Sequence, residues 1–223
     1  MNNLTGLSVS GLPYLIYLDC SDNLISGIDF TNSYNITGLY LQNNNLSGAF
    51  NLSQFKNLSE VDISDNQFTG IIASGLTNLF YINASKNNIS GIEFSESINI
   101  TGLNLADNNL SGNLDLTQFE DLKEVNVSGN NLTGINITGL NKLETFIANN
   151  NLITGVVNFL GTTGVKNILI QNNLITGMVN FNDLTQISYF NLSGNNISDL
   201  SPIVLWATGQ YGLMAVASGL FVF

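Results

Sequence analysis

The sequence predicts a β-solenoid. It reads as a stack of about nine turns, each with one short strand followed by a mostly extended or 3₁₀ segment. Three observations predict it. A short pattern recurs along the chain at a nearly fixed period. Within each copy apolar and polar residues alternate, as in a half-buried strand. Each copy then runs into Asn and Ser/Thr-Gly, which is turn chemistry. Units this short cannot bury a face alone, so neighbours must stack.

The pattern is clear at Leu15-Ile-Tyr-Leu18-Asp-Cys20-Ser-Asp-Asn23-Leu-Ile25-Ser-Gly27, and again at Leu39-Tyr-Leu41-Gln-Asn-Asn44-Asn-Leu46-Ser-Gly48 and Val61-Asp-Ile63-Ser-Asp-Asn66-Gln-Phe68-Thr-Gly70. Its central asparagine falls at Asn23, Asn44, Asn66, Asn87, Asn108, Asn130, Asn151, Asn173 and Asn195, in steps of 21 or 22 residues. In this the chain resembles the leucine-rich-repeat family over residues 2–199. The resemblance implies a right-handed superhelix with one strand per repeat on its concave face, and ligands that meet the side chains pointing outward from those strands.

An asparagine side chain both donates and accepts, so the recurring Asn can satisfy backbone groups where the chain turns inward. The nine form a structural ladder in this reading. Gly27, Gly48, Gly70, Gly91, Gly112, Gly134, Gly155 and Gly177 are expected at tight or positive-φ turns. Phe30, Phe50, Phe94, Phe159 and Phe181 follow those glycines and read as a spine under the convex side; the segments are too short for long helices. A longer period lies above the first. Asn51-Leu-Ser-Gln-Phe55 matches Asp115-Leu-Thr-Gln-Phe119 at an offset of 64 residues, which is three repeats.

The candidate binding residues are those flanking the inward apolar position of each strand. They are Tyr17, Asp19, Tyr40, Glu60, Asp62, Tyr81, Asn83, Asn104, Glu124, Asn126, Ile147, Leu169, Tyr189 and Asn191. The first are aromatic and acidic, the middle ones are mainly Asn, and Ile147 with Leu169 makes an apolar step. Tyrosine supplies rigid amphipathic contact area, and adjacent exposed apolar residues form a contact patch. The reading is a recognition or adhesion module for a neutral or basic partner, a protein or a glycan. The alternative is a structural subunit of a virion, surface layer or extracellular fibre.

Composition narrows the classes. Charged residues are 9% of the chain, against roughly 25% in ordinary soluble domains. Asn, Ser, Thr and Gly therefore carry the polar surface, a balance that suits an extracellular, cell-surface or virion-surface setting. A net charge of −11 with five basic residues excludes a basic stripe for nucleic acid and disfavours anionic membranes. One cysteine, Cys20, forms no internal disulfide, and the absence of histidine removes the usual general base and metal ligand. No enzyme, cofactor or metal site is expected. Asp19, Asp22, Glu60, Asp62 and Asp65 lack the spacing of a calcium loop. Sequons such as Asn45-Leu-Ser and Asn109-Leu-Ser arise from the repeat template itself.

The ends differ from the body. Asn2-Asn-Leu4-Thr-Gly6 is in phase with Asn23, so the chain starts in mid-repeat, and no secretory signal is visible. Residues 200–223 carry no charge and read as an apolar cap, docking segment or anchor after an array at 1–199. Neighbouring subunits are expected at the N-terminal edge and at this tail. Membrane contact is expected only through residues 200–223.

Overall fold

The computed structural model describes residues 2–198 and the backbone of Phe221–Val222. It falls into two compact units, Met1–Leu110 and Ser111–Phe223. In the first, the three-residue strands Tyr17–Asp19, Gly38–Tyr40, Glu60–Asp62, Tyr81–Asn83 and Gly102–Asn104 pair in parallel in chain order. In the second, Glu124–Asn126, Thr145–Ile147, Asn167–Leu169 and Tyr189–Asn191 do the same. Phe221–Val222 runs antiparallel beside Tyr189 and Phe190. The strands fall where the alternation put them, and each unit is a parallel β-solenoid.

Register explains the core. The middle residues Leu39, Val61, Ile82 and Leu103 stand in line and are buried, as are Phe146, Ile168 and Phe190 in the second unit. Two residues further on, Leu41, Ile63, Ala84 and Leu105 are also buried, so the chain still faces inward as it leaves the strand. The residue just before each ladder asparagine then turns in the left-handed region. Asp22, Asn43, Asp65, Asp107, Asn150 and Asn172 all have φ between 50° and 57°. Asn and Asp tolerate that conformation better than most residues, which accounts for the repeated Asp-Asn and Asn-Asn pairs.

The convex segments are extended, as expected, with a 3₁₀ turn described at Phe181–Asp183. The sequence did not disclose that they pair. In the first unit Leu7–Ser8 pairs with Ile28–Asp29, and Ser47–Asn51, Gln67–Ile72 and Gly91–Glu93 form a three-stranded outer sheet. In the second, Ser111–Asp115 pairs with Asn131–Asn136 and Thr154–Asn158 with Leu174–Val179.

This outer layer corrects the reading of the glycines. Gly48, Gly112 and Gly155 do take positive φ, at 81°, 75° and 72°. At each of them the pairing register slips by one residue, a bulge that only glycine makes easily. Gly27, Gly70, Gly91, Gly134 and Gly177 are not in that region. Gly134 is small for a different reason, since a Cβ there would lie 2.6 Å from Asn113 Oδ1 on the neighbouring strand.

The phenylalanine spine is graded. Phe30, Phe94, Phe159 and Phe181 are buried, and Phe50 is only half-buried. Residues 199–220 and Phe223 lie outside the described residues, and with them most of the expected cap, docking segment or anchor. Among the described residues no helix is long and apolar enough to cross a membrane.

Candidate binding face

The ladder asparagines work inside the fold. Asn66 Nδ2 donates to the carbonyls of Leu41 (2.9 Å), Ile63 (3.3 Å) and Ser64 (3.0 Å), and its Oδ1 accepts from Leu46 N–H at 3.0 Å. Asn44, Asn87 and Asn108 repeat this in the first unit, and Asn151 and Asn173 in the second. Asn23 and Asn130 donate to carbonyls at their own turns. Asn195, at the last described turn, bonds Ile170 and Leu192 carbonyls. Asn23, Asn44, Asn66, Asn87, Asn108, Asn151, Asn173 and Asn195 thus stitch their own turns to the ones before, with both ends of each amide engaged.

A second structural pattern runs through the candidate binding residues, and the sequence reading missed it. At the third position of six inner strands stands Asp or Asn: Asp19, Asp62, Asn83, Asn104, Asn126 and Asn191. In every one Oδ1 accepts the backbone N–H two residues on. In five of them the residue two on is a serine whose hydroxyl donates to the same oxygen, at 2.6–2.9 Å. This Asx turn closes the strand. The signal was present in the sequence as the recurrence Asp/Asn-x-Ser. These residues remain on the exposed side of the inner sheet, but one oxygen of each is committed to the fold.

Three strands depart from that pattern, with Tyr40, Ile147 and Leu169 at the third position and Gln42, Asn149 and Gln171 in place of the serine. None of the three side chains can close the turn. Two of the three replacements differ from the serines in another way: among the described residues, the buried side-chain oxygens without a protein hydrogen-bond partner are Oε1 of Gln42 and Oε1 of Gln171. Ile147 and Leu169 are register partners, so they lie side by side. All three are half-exposed.

The first position of the strands carries the rest. In the first unit it reads Tyr17, Gly38, Glu60, Tyr81 and Gly102, and in the second Glu124, Thr145, Asn167 and Tyr189. Tyr17 and Tyr40 pack with ring centroids 5.0 Å apart, and the Tyr40 hydroxyl donates to Glu60 Oε1. Partial burial, and the Glu60 carboxylate beside it, push the Tyr40 phenol well above its ordinary value, so it remains a donor. Asn83 Nδ2 donates to the free Asp62 Oδ2 at 2.9 Å, and Asn167 Nδ2 to Thr145 Oγ1 at 3.3 Å.

Burial, and behind it the Asp19 charge, raise the Cys20 thiol to about 11, a value far from that of a nucleophilic cysteine. Among the described residues no group of three or more Cys, Asp or Glu side chains is placed to hold a metal ion. The ion pairs Lys86–Asp65 and Lys166–Glu144 are largely exposed and contribute little.

Comparison with known proteins agrees with this geometry. The family model described as Leucine Rich Repeat matches residues 57–79 and 121–143, two stretches 64 residues apart. No curated protein matches the sequence. Solved structures do match the fold. The leucine-rich repeat domain of APL1B superposes with a TM-score of 0.75 at 22% identity, over 88% of this chain and 60% of that one. YopM of Yersinia enterocolitica gives 0.72 at 21%, over 89% and 46%. The Arabidopsis receptor kinase HAESA, solved with the peptide hormone IDA and the co-receptor SERK1, gives 0.65 at 22%, over 85% and 36%. The chain therefore spans less than two thirds of each of these. In repeat motif at these two stretches, and in fold, the chain is similar to leucine-rich-repeat proteins.

Proposed function

We propose that the chain is a non-enzymatic protein-recognition module whose partner sits on the inner sheet. One observation carries the reading. At Tyr40, Ile147 and Leu169 an aromatic or apolar side chain stands where six other strands carry the Asp or Asn of the Asx turn, and two residues beyond Tyr40 and Leu169 a buried glutamine oxygen has no protein partner. A substitution that weakens the fold and exposes apolar surface is the mark of a site kept for contact. The likeness to HAESA, solved with a peptide hormone, supports a protein partner. The low charge and the Asn, Ser and Thr surface favour a place outside the cell or on a surface.

The test restores the turn. Leu169→Asn together with Gln171→Ser copies the arrangement of Asn191 and Ser193. The double variant is expected to gain about 1 kcal/mol of stability from the new bonds. It should also lose, by tenfold or more, the ligands selected against the parent from a displayed peptide library. Ligands that still bind the double variant and a Tyr40→Asp, Gln42→Ser variant, but lose affinity when outer-sheet Thr69 is replaced, would defeat the reading.

A second reading, a subunit of an assembly, is favoured by the last outer sheet. Leu152, Val156, Leu160, Leu174 and Val179 are 43–57% exposed there. The corresponding positions of the sister sheet in the same unit hold Asn131 for Leu174 and Asn136 for Val179, and at Val156 the sister holds Asn113. If copies or neighbours associate through this face, Val156→Asn with Leu174→Asn should abolish the association seen by sedimentation velocity without lowering stability. A parent that is monomeric at 100-fold dilution series extremes would remove this second reading.

A further inference from the structure

The proposed recognition face has a local chemistry in the first unit that specifies its partner more closely. Two tyrosines, Tyr17 and Tyr81, are each followed on the next strand by a glycine in register, Gly38 and Gly102. A Cβ on Gly38 would lie 2.9 Å from the Tyr17 ring, and one on Gly102 would lie 2.7 Å from the Tyr81 ring. Each ring thus fills the space where a side chain would stand, and it could not do so beside any other residue without shifting. Both rings keep a solvent-facing side, being 56% and 38% exposed.

Between these two platforms runs the strand Glu60–Asp62. Glu60 pairs with Gly38 on one side and Tyr81 on the other, and Asp62 with Tyr40 and Asn83. Glu60 is oriented by the Tyr40 hydroxyl, and Asp19 lies at the near end. The inner strands of this unit carry three carboxylates and no lysine or arginine. Aromatic faces flanking uncompensated carboxylates are complementary to cations, through the ring quadrupole and through charge.

The spacing adds a constraint. Tyr17 and Tyr81 are three strand steps apart, about 14 Å at the usual interstrand distance. An extended chain rises about 3.4 Å per residue, so it covers that distance in four residues, with both side chains on the same face.

We propose that this face binds an extended segment of a partner protein bearing two basic side chains four residues apart, one over Tyr17 and one over Tyr81, with Glu60 and Asp62 beneath the backbone between them. The proposal rests on the inner-sheet reading above.

Its test uses the full chain and three synthetic peptides in a Ser/Thr-rich background: lysines four apart, lysines two apart, and glutamines in place of both. Isothermal titration should give at least fivefold tighter binding for the first than the second, and none measurable for the third. Tyr17→Leu and Tyr81→Leu, which keep apolar bulk but remove the ring, should each weaken the first peptide about threefold to fivefold, and raising the salt should weaken it further. Equal binding of all three peptides overturns the proposal, as does indifference to both tyrosine substitutions. Salt-insensitive binding of neutral oligosaccharides at the same tyrosines would overturn it in favour of a glycan. If the peptides fail while library-selected ligands still depend on Tyr40 and Leu169, only this inference falls. If those ligands are also indifferent to the inner sheet, the recognition reading falls with it.

Discussion

Asn66→Ala is expected to destabilise the chain by about 3–5 kcal/mol, at the far end of what single substitutions do. The side chain is 9% exposed and makes four hydrogen bonds, three donated to backbone carbonyls and one accepted from the Leu46 amide. Alanine removes all four at once. The groups left behind are buried backbone atoms, and each one stranded without a partner costs about 1–3 kcal/mol, less where water can enter. Asn66→Asp is a stricter form of the test. It preserves shape almost atom for atom, but the carboxylate cannot donate and stands against three carbonyl oxygens, so it should destabilise at neutral pH at least as much as alanine. The exposed neighbour Asn45→Ala serves as the control, with an expected change within about 0.5 kcal/mol. Urea titrations give the comparison directly, as a shift in midpoint at constant slope. An Asn66→Ala protein within 1 kcal/mol of the parent would mean that the ladder decorates the turn without holding it.

The ladder and the inner strands were legible because both are imposed by the backbone. A stack of short turns has the same unsatisfied amides at the same place in every repeat, so the same residue type returns in phase. Other features were less legible for equally physical reasons. Whether Asp62 offers its carboxylate to a ligand or to Ser64 is settled by which lone pair meets which N–H, and residue type alone is neutral between the two. Residues with a committed oxygen and residues without one were therefore grouped together as binding candidates. The outer sheets were hidden because Ser47–Asn51 and its relatives are half polar, and parallel pairing there depends on a one-residue slip at Gly48 that periodicity does not encode. Ser33 and Ser97 were overlooked for the same reason as the Asx turns. Both are fully buried; each accepts from an amide at 2.8 Å and donates to a carbonyl at 2.5 Å, 64 residues apart. In the sequence they are two serines among many.

Phe159→Ala is expected to cost about 3–5 kcal/mol, whereas Phe50→Ala, at the corresponding side of the first unit, should cost less than half as much. Sequence alone gives the two residues the same standing, since each follows a repeat glycine within a few positions. Packing separates them. Phe159 is fully buried, with its ring 5.9 Å from Phe181 and 6.4 Å edge-on from Phe190. Removing it opens a hole bounded by the 3₁₀ turn at Phe181 and the inner strand at Phe190, two elements held too firmly by their own backbone bonds to collapse into it. The cavity term therefore adds to the lost transfer energy. Phe50 is half-buried and lies against Phe68, ring planes 7° apart at 5.1 Å, beside an open cleft of about 210 Å³. Its loss enlarges a space that water already reaches, so only part of the transfer energy is at stake and no closed void is created. Denaturation of the two variants under one set of conditions gives the ratio. Equal losses would mean that the cleft closes in solution and that the spine is as continuous as its spacing suggests. A loss concentrated at Phe159 would mark the second unit as the more firmly packed, behind the strand Tyr189–Asn191 that pairs with the one presenting Leu169 to the proposed partner.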